Sequence, residues 1–106
     1  MFRGDVFALK GPRRARGHEQ RGSRYAVVVQ ADQMLGQSTV IVAPTSTSVL
    51  DASYRPRISI GDETTKVLVE KLSSVDLGRL GEQQGRVSGG ERDAIDDALK
   101  LVLDLA

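Results

Sequence analysis

The chain has 106 residues, 40% hydrophobic and 27% charged, with a net charge of +1, no cysteine and one histidine. That length suits one domain with one core. The composition excludes a disulfide framework and a thiolate metal site, and the lone histidine argues against a protein-built zinc site. No apolar run reaches bilayer length and the N-terminus lacks a signal-peptide core, so no membrane role and a cytoplasmic location are expected. The charge is unevenly spread. Residues 1–60 carry nine Lys and Arg against four Asp and Glu, whereas residues 61–106 carry six against ten. Between Lys10 and Arg24 there are six basic residues and one acid. Such a local basic stretch is the footprint of a polyanion binder, or else a solvated arginine-rich loop.

In chain order, residues 2–9 have the aromatic and branched side chains of a first strand, stopped by Gly11-Pro12. A long loop runs to Ser23, and Arg24–Gln30 reads as a second strand whose Ala-Val-Val-Val run implies burial on both faces. Ala31–Gly36 suits one helical turn. Thr39–Ala43 predicts a third strand, ended by Pro44 because proline lacks the ladder N–H, with Thr45-Ser46-Thr47-Ser48 where it leaves the sheet. Arg57–Ile60 alternates as a half-exposed strand, and Lys66–Leu72 is a further strand candidate. Ser73–Asp76 suggests the start of a short helical turn through Leu80, and Gly85–Val87 a last short strand. Ser88 with Glu91 forms a capping-box pattern before an amphipathic helix to about Asp104, with Ala94, Ile95, Ala98, Leu99, Val102 and Leu105 at helical spacing. Short strands followed by one closing helix suit a compact, mainly β domain covered on one side, spanning residues 1–106.

Four stretches resemble the MazF/PemK family of toxin endoribonucleases. They are Arg3-Gly4-Asp5-Val6; Gly17-His18-Glu19-Gln20-Arg21-Gly22-Ser23-Arg24 with the strand after it; Val40-Ile41-Val42-Ala43-Pro44-Thr45-Ser46-Thr47; and Val67–Asp76 followed by Leu80-Gly81 and Gly85-Arg86-Val87-Ser88. The resemblance implies an α+β, SH3-like barrel of the CcdB/MazF/Kid type with a C-terminal helix, usually a homodimer. It also implies metal-independent, cofactor-free cleavage of single-stranded RNA at short motifs, and neutralisation by a MazE-like antitoxin whose acidic tail occupies the RNA groove.

By that resemblance Arg24 is the catalytic arginine, holding the phosphate and stabilising developing charge. The alternative is that it merely begins a strand. Ser46 matches the catalytic hydroxyl, and a register shift of one would give the role to Thr45 or Thr47. Glu19 fits either a base or a holder of a loop arginine. His18, where serine is usual, is an acid–base group or an idle loop residue. Arg16, His18, Gln20, Arg21, Tyr25, Thr45, Thr47 and Lys71 are the expected RNA contacts. Tyr25 replaces the usual proline and offers a ring for stacking. Lys71, in place of a glutamine, favours phosphate over base contact. Two other classes compete: a CcdB-like toxin that poisons gyrase, and a silent SH3-like nucleic-acid-binding module.

Overall fold

A computed structural model describes residues 1–10 and 24–105. Seven strands form an antiparallel sheet: β1 (Asp5–Leu9), β2 (Tyr25–Val28), β3 (Thr39–Ser46), β4 (Arg57–Ile60), β5 (Glu63–Val67), β6 (Ser73–Asp76) and β7 (Leu80–Arg86). Their order is β4-β5-β3-β2-β1-β7, with β6 also paired to β3. The sheet curls so that β4 and β7, at the two ends of this order, come into contact. Helix α1 (Gly89–Leu103) closes the fold. This is the mainly β, helix-closed barrel type that the sequence pattern implies. Among the described residues no helix is long and apolar enough to cross a membrane.

The alternation of side chains divides β2 and β3 between two apolar clusters. Val27 and Ala43 face a core shared with Val6, Ile58, Val67 and the helix residues Ile95 and Ala98. Ala26, Val28, Val40 and Val42 face a second cluster with Val75, flanked by Phe7, Leu9, Leu35 and Leu80. Burial of β2 on both faces follows from this position between β1 and β3. The helix is capped as its sequence predicts: Ser88 Oγ accepts from Glu91 N, and Glu91 Oε1 accepts from Ser88 N. Asp104 ends it in a left-handed conformation. Of the six periodic positions, Ile95 and Ala98 are buried and Leu99 and Val102 half-buried, whereas Ala94 and Leu105 are exposed.

The strand expectations change at several places. The first strand begins at Asp5, because Gly4 (φ +94°) turns the chain into it. Pro44 does not end β3, which continues to Ser46. One edge of β3 pairs with β6 up to Val42 and with β5 from Thr45, and Pro44 lies at the seam between them. Its carbonyl accepts from Leu68 N on that side, so the missing N–H faces a place where no ladder bond is needed. Residues 66–72 are not one strand: β5 stops at Val67, and Val69–Lys71 forms a 3-10 turn. Ser73–Asp76 is strand β6, paired with Thr39–Val42, and the helical turn comes after it at Leu77–Arg79. The last strand is β7, from Leu80 to Arg86, held along β1.

Candidate RNA-cleavage site

The site is set by register. Ala26 pairs with Pro44 and Val27 with Ala43, so the next pairs outward set Tyr25 opposite Thr45 and Arg24 opposite Ser46. Directly opposed residues share a face, with Cβ atoms roughly 4.5–5.5 Å apart. Arg24 and Ser46 therefore lie together on the face away from the helix, while Tyr25 and Thr45 lie on the helix side. Leu9 N donates to Arg24 O at 2.9 Å, which anchors the arginine to β1 just before β2 begins. The Arg24 Nε is buried and has no hydrogen-bond partner. A desolvated donor without an acceptor is costly, which makes this nitrogen a candidate for contact with an anionic group.

The three hydroxyl candidates separate. Thr45 is buried and its Oγ1 accepts from Tyr25 N at 3.3 Å, which commits it to the β2–β3 join. Ser46 is buried on the face of Arg24, and its Oγ lies 3.2 Å from both Ser48 Oγ and Ser48 N. Thr47 is exposed beyond the strand. Tyr25 is half-buried, its ring packs against the helix-side core, and its hydroxyl donates to Glu63 Oε2 at 2.9 Å. Lys71 is exposed in the 3-10 turn Val69–Lys71. Its neighbour Glu70 is paired with Arg55 at 2.8 Å through Oε2, and Glu70 Oε1 is buried without a partner. Arg16, His18, Glu19, Gln20 and Arg21 lie outside the described residues. Among the described residues no group of three His, Cys, Asp or Glu is placed to hold a metal ion.

Sequence reading did not single out the braces of the segment that follows Ser46. Lys66 Nζ donates to Val49 O at 2.6 Å and lies 3.1 Å from Asp51. Arg57 reaches Asp51 at 2.8 Å, and Arg55 donates to Leu50 O at 2.9 Å. The only sequence signal is the pair of arginines flanking Pro56 at the start of β4, with Lys66 near the end of β5. The hydrogen bonds from Arg57 and then Lys66 hold the Asp51 carboxyl below its ordinary range, and Asp51 in turn raises Arg57. Because the folded value is depressed, the brace is complete above the ordinary aspartate range and is lost as pH falls through the lowered value. We expect an NMR titration of the Asp51 carboxyl to give a midpoint below that of an ordinary aspartate, moving back upward in Arg57→Gln. An ordinary midpoint in the parent protein would show that the brace does not form in solution.

A curled antiparallel sheet closed by one helix, with an arginine and a hydroxyl at facing register positions on the side away from the helix, describes a small helix-closed β-barrel. The family model described as PemK-like, MazF-like toxin of type II toxin–antitoxin system matches residues 2–103. The chain belongs to this family. The endoribonuclease MazF9 of Mycobacterium tuberculosis is 34% identical over 118 aligned residues, covering 99% of this chain and 98% of that protein. The fold is similar to a mycobacterial endoribonuclease solved with its cognate antitoxin (TM-score 0.80, 18% identity, covering 100% of this chain and 97% of that one). It is similar also to the MazE–MazF complex of Deinococcus radiodurans (TM-score 0.80, 20% identity, covering 100% and 97%).

Proposed function

We propose that the protein is the toxin of a type II toxin–antitoxin pair and a sequence-specific, metal-independent endoribonuclease acting on single-stranded RNA in the cytoplasm. The observation that carries the reading is the Arg24 Nε, buried with no hydrogen-bond acceptor, at a position that the β2–β3 register, continued by two pairs, sets opposite Ser46. The 2′-OH attacks the adjacent phosphorus, the 5′-oxygen leaves, and the products are a 2′,3′-cyclic phosphate and a 5′-OH. Arg24 holds the phosphate and neutralises charge as the dianionic phosphorane forms. Its very high pKa makes it a poor base. Ser46 donates to a phosphate oxygen. Glu19 is either the base or the holder of a loop arginine, and a homodimer is the proposed assembly. A MazE-like antitoxin is the proposed partner, in line with the antitoxin complexes of the structural relatives.

The test is incubation with a long single-stranded RNA in EDTA and mapping of the ends. Discrete cuts with 5′-OH termini are expected. Ser46→Ala should slow them by about 10²-fold, the loss typical of one preorganised donor. Thr45→Val should cost far less in rate, and about 1 kcal/mol in stability through the lost bond to Tyr25 N. Absence of cuts from folded protein, with inhibition of gyrase, would move the reading to a CcdB-like toxin. Absence of both would leave a binding module.

A further inference from the structure

The row that holds Arg24 and Ser46 continues across the sheet. Ser46 pairs with Lys66, and Lys66 pairs with Arg57, so Arg24, Ser46, Lys66 and Arg57 stand side by side on β2, β3, β5 and β4. All four side chains share the face away from the helix, because opposed residues point the same way. Two cations directly opposite one another repel. Here the carboxylate of Asp51 lies between them, 3.1 Å from Lys66 and 2.8 Å from Arg57. The Asp51 side chain is 66% exposed, whereas that of Lys66 is only 16% exposed. A held ammonium and a guanidinium thus share an anion that sits on the solvent side. Both Arg57 bonds to Asp51 come from one nitrogen of the fork. Against the pair lies a pocket of about 200 Å³ whose lining, Thr47, Thr64, Thr65, Arg57 and Lys66, contains no carboxylate. Thr65 opposes Ile58 and is buried towards the helix side, so the hydroxyls it can offer are those of Thr64 and Thr47.

We propose that Lys66 and Arg57, with the threonine hydroxyls beside them, form a second phosphate subsite for the RNA strand, whose place Asp51 holds in the free protein. The subsite rests on the nuclease reading of Arg24 and Ser46. From the midpoint of that pair to the midpoint of Lys66 and Arg57 is two strand spacings, roughly 10 Å. The group bound there is therefore a neighbouring phosphate of the same strand and not the scissile one. Phosphate offers more acceptor oxygens than a carboxylate, and its approach displaces Asp51 towards solvent without leaving either cation unpaired. The exchange keeps the pair neutralised before and during binding, and it makes RNA docking compete with an internal anion.

The test uses a 2′-O-methyl oligonucleotide, which cannot be cut, carrying the mapped motif with flanks, or a uridine homopolymer if the protein proves inert on RNA. Binding is measured from low to moderate salt. In the double variant Lys66→Met/Arg57→Gln the slope of log affinity against log salt should fall by about 0.7, the share of one phosphate on a single strand. Asp51→Asn should tighten binding several-fold. Replacing one phosphate at a time by a neutral methylphosphonate should reveal a position, away from the cut, where the parent weakens and the double variant does not. Because Asp51 is a surface residue, its variant keeps the test open if the double variant fails to fold.

Weaker RNA binding by Asp51→Asn, or equal weakening of parent and double variant at every phosphate, would overturn the subsite. So would a double variant that binds RNA with the parent's salt slope but loses an acidic antitoxin peptide, since the pair would then serve a protein. Failure of the parent to cut any RNA would instead count against the nuclease reading, while the homopolymer titration still reads the subsite.

Discussion

Arg24→Ala should lower single-turnover RNA cleavage by about 10²–10³-fold, the effect of removing one preorganised charge-stabilising donor, while the melting temperature stays level or rises slightly. The two halves have one cause. The guanidinium is held before β2 with its Nε desolvated and unpaired. In the free protein this donor contributes nothing to offset its burial, so its removal relieves a cost. In the proposed reaction the same donor would meet developing negative charge in the transition state, with little reorganisation and a larger effect than in water. A residue kept for activity at the expense of stability gives this signature. The measurements are cleavage of a motif-bearing oligonucleotide under enzyme excess, and thermal unfolding by circular dichroism. A melting temperature lower by about 4–8 °C or more, which corresponds to a loss of 1 kcal/mol in a domain of this size, would make Arg24 a structural residue that merely begins a strand.

Asp5→Ala should do the opposite, costing about 3 kcal/mol of stability through a clasp remote from the Arg24 row. The Asp5 side chain is 2% exposed; its Oδ2 accepts from Phe2 N at 2.8 Å and its Oδ1 from Arg86 Nε at 2.9 Å. Arg86 in turn lies over the Phe2 ring at 5.5 Å. Gly4 precedes it at φ +94°, close enough to the residue after β7 that an added Cβ would meet Val87 Cγ2 at 3.1 Å. Arg3 completes the clasp, donating to Val29 O at 2.9 Å and to Asp96 of α1 at 2.7 Å. The substitution removes two charge-assisted bonds and leaves Phe2 N without its acceptor, whereas Arg86, mostly exposed, is released to water at little cost. Urea unfolding should show the loss, and Asp5→Asn, which keeps one of the two acceptor oxygens, should recover part of it. Parent-like stability in Asp5→Ala would mean that the clasp adds nothing beyond the β1–β7 ladder.

The contrast between these variants divides what was legible in the chain from what was not. Local physics carried the capping box at Ser88, the helix to Leu103 and the doubly buried Ala26–Val28, because capping, periodicity and continuous apolarity act over a few residues. The Arg3-Gly4-Asp5 opening was visible as a pattern of the family. Its use was not, since its partners are Asp96 and Arg86 from the other end of the chain.

Pro44 misled for a related reason. A proline ends a strand only where its missing N–H is needed, and that depends on which neighbour lies alongside. Ser73–Asp76 became a strand because β3 offered it an open edge. A run of hydroxyls does not say which of Thr45, Ser46 and Thr47 shares a face with Arg24. That depends on the β2–β3 register, which sends Thr45 to the helix side and Ser46 to the face of Arg24, and a slip of one residue would exchange them.

The sequence by itself determined the family, the elements with a short-range signal and the arginine at the head of β2. Only the tertiary structure decided which side chains share a face, which anions neutralise which cations, and that Arg57, Lys66, Ser46 and Arg24 form one row. Strand pairing joins residues far apart in the chain, and the face of each is fixed by a register that no local stretch encodes.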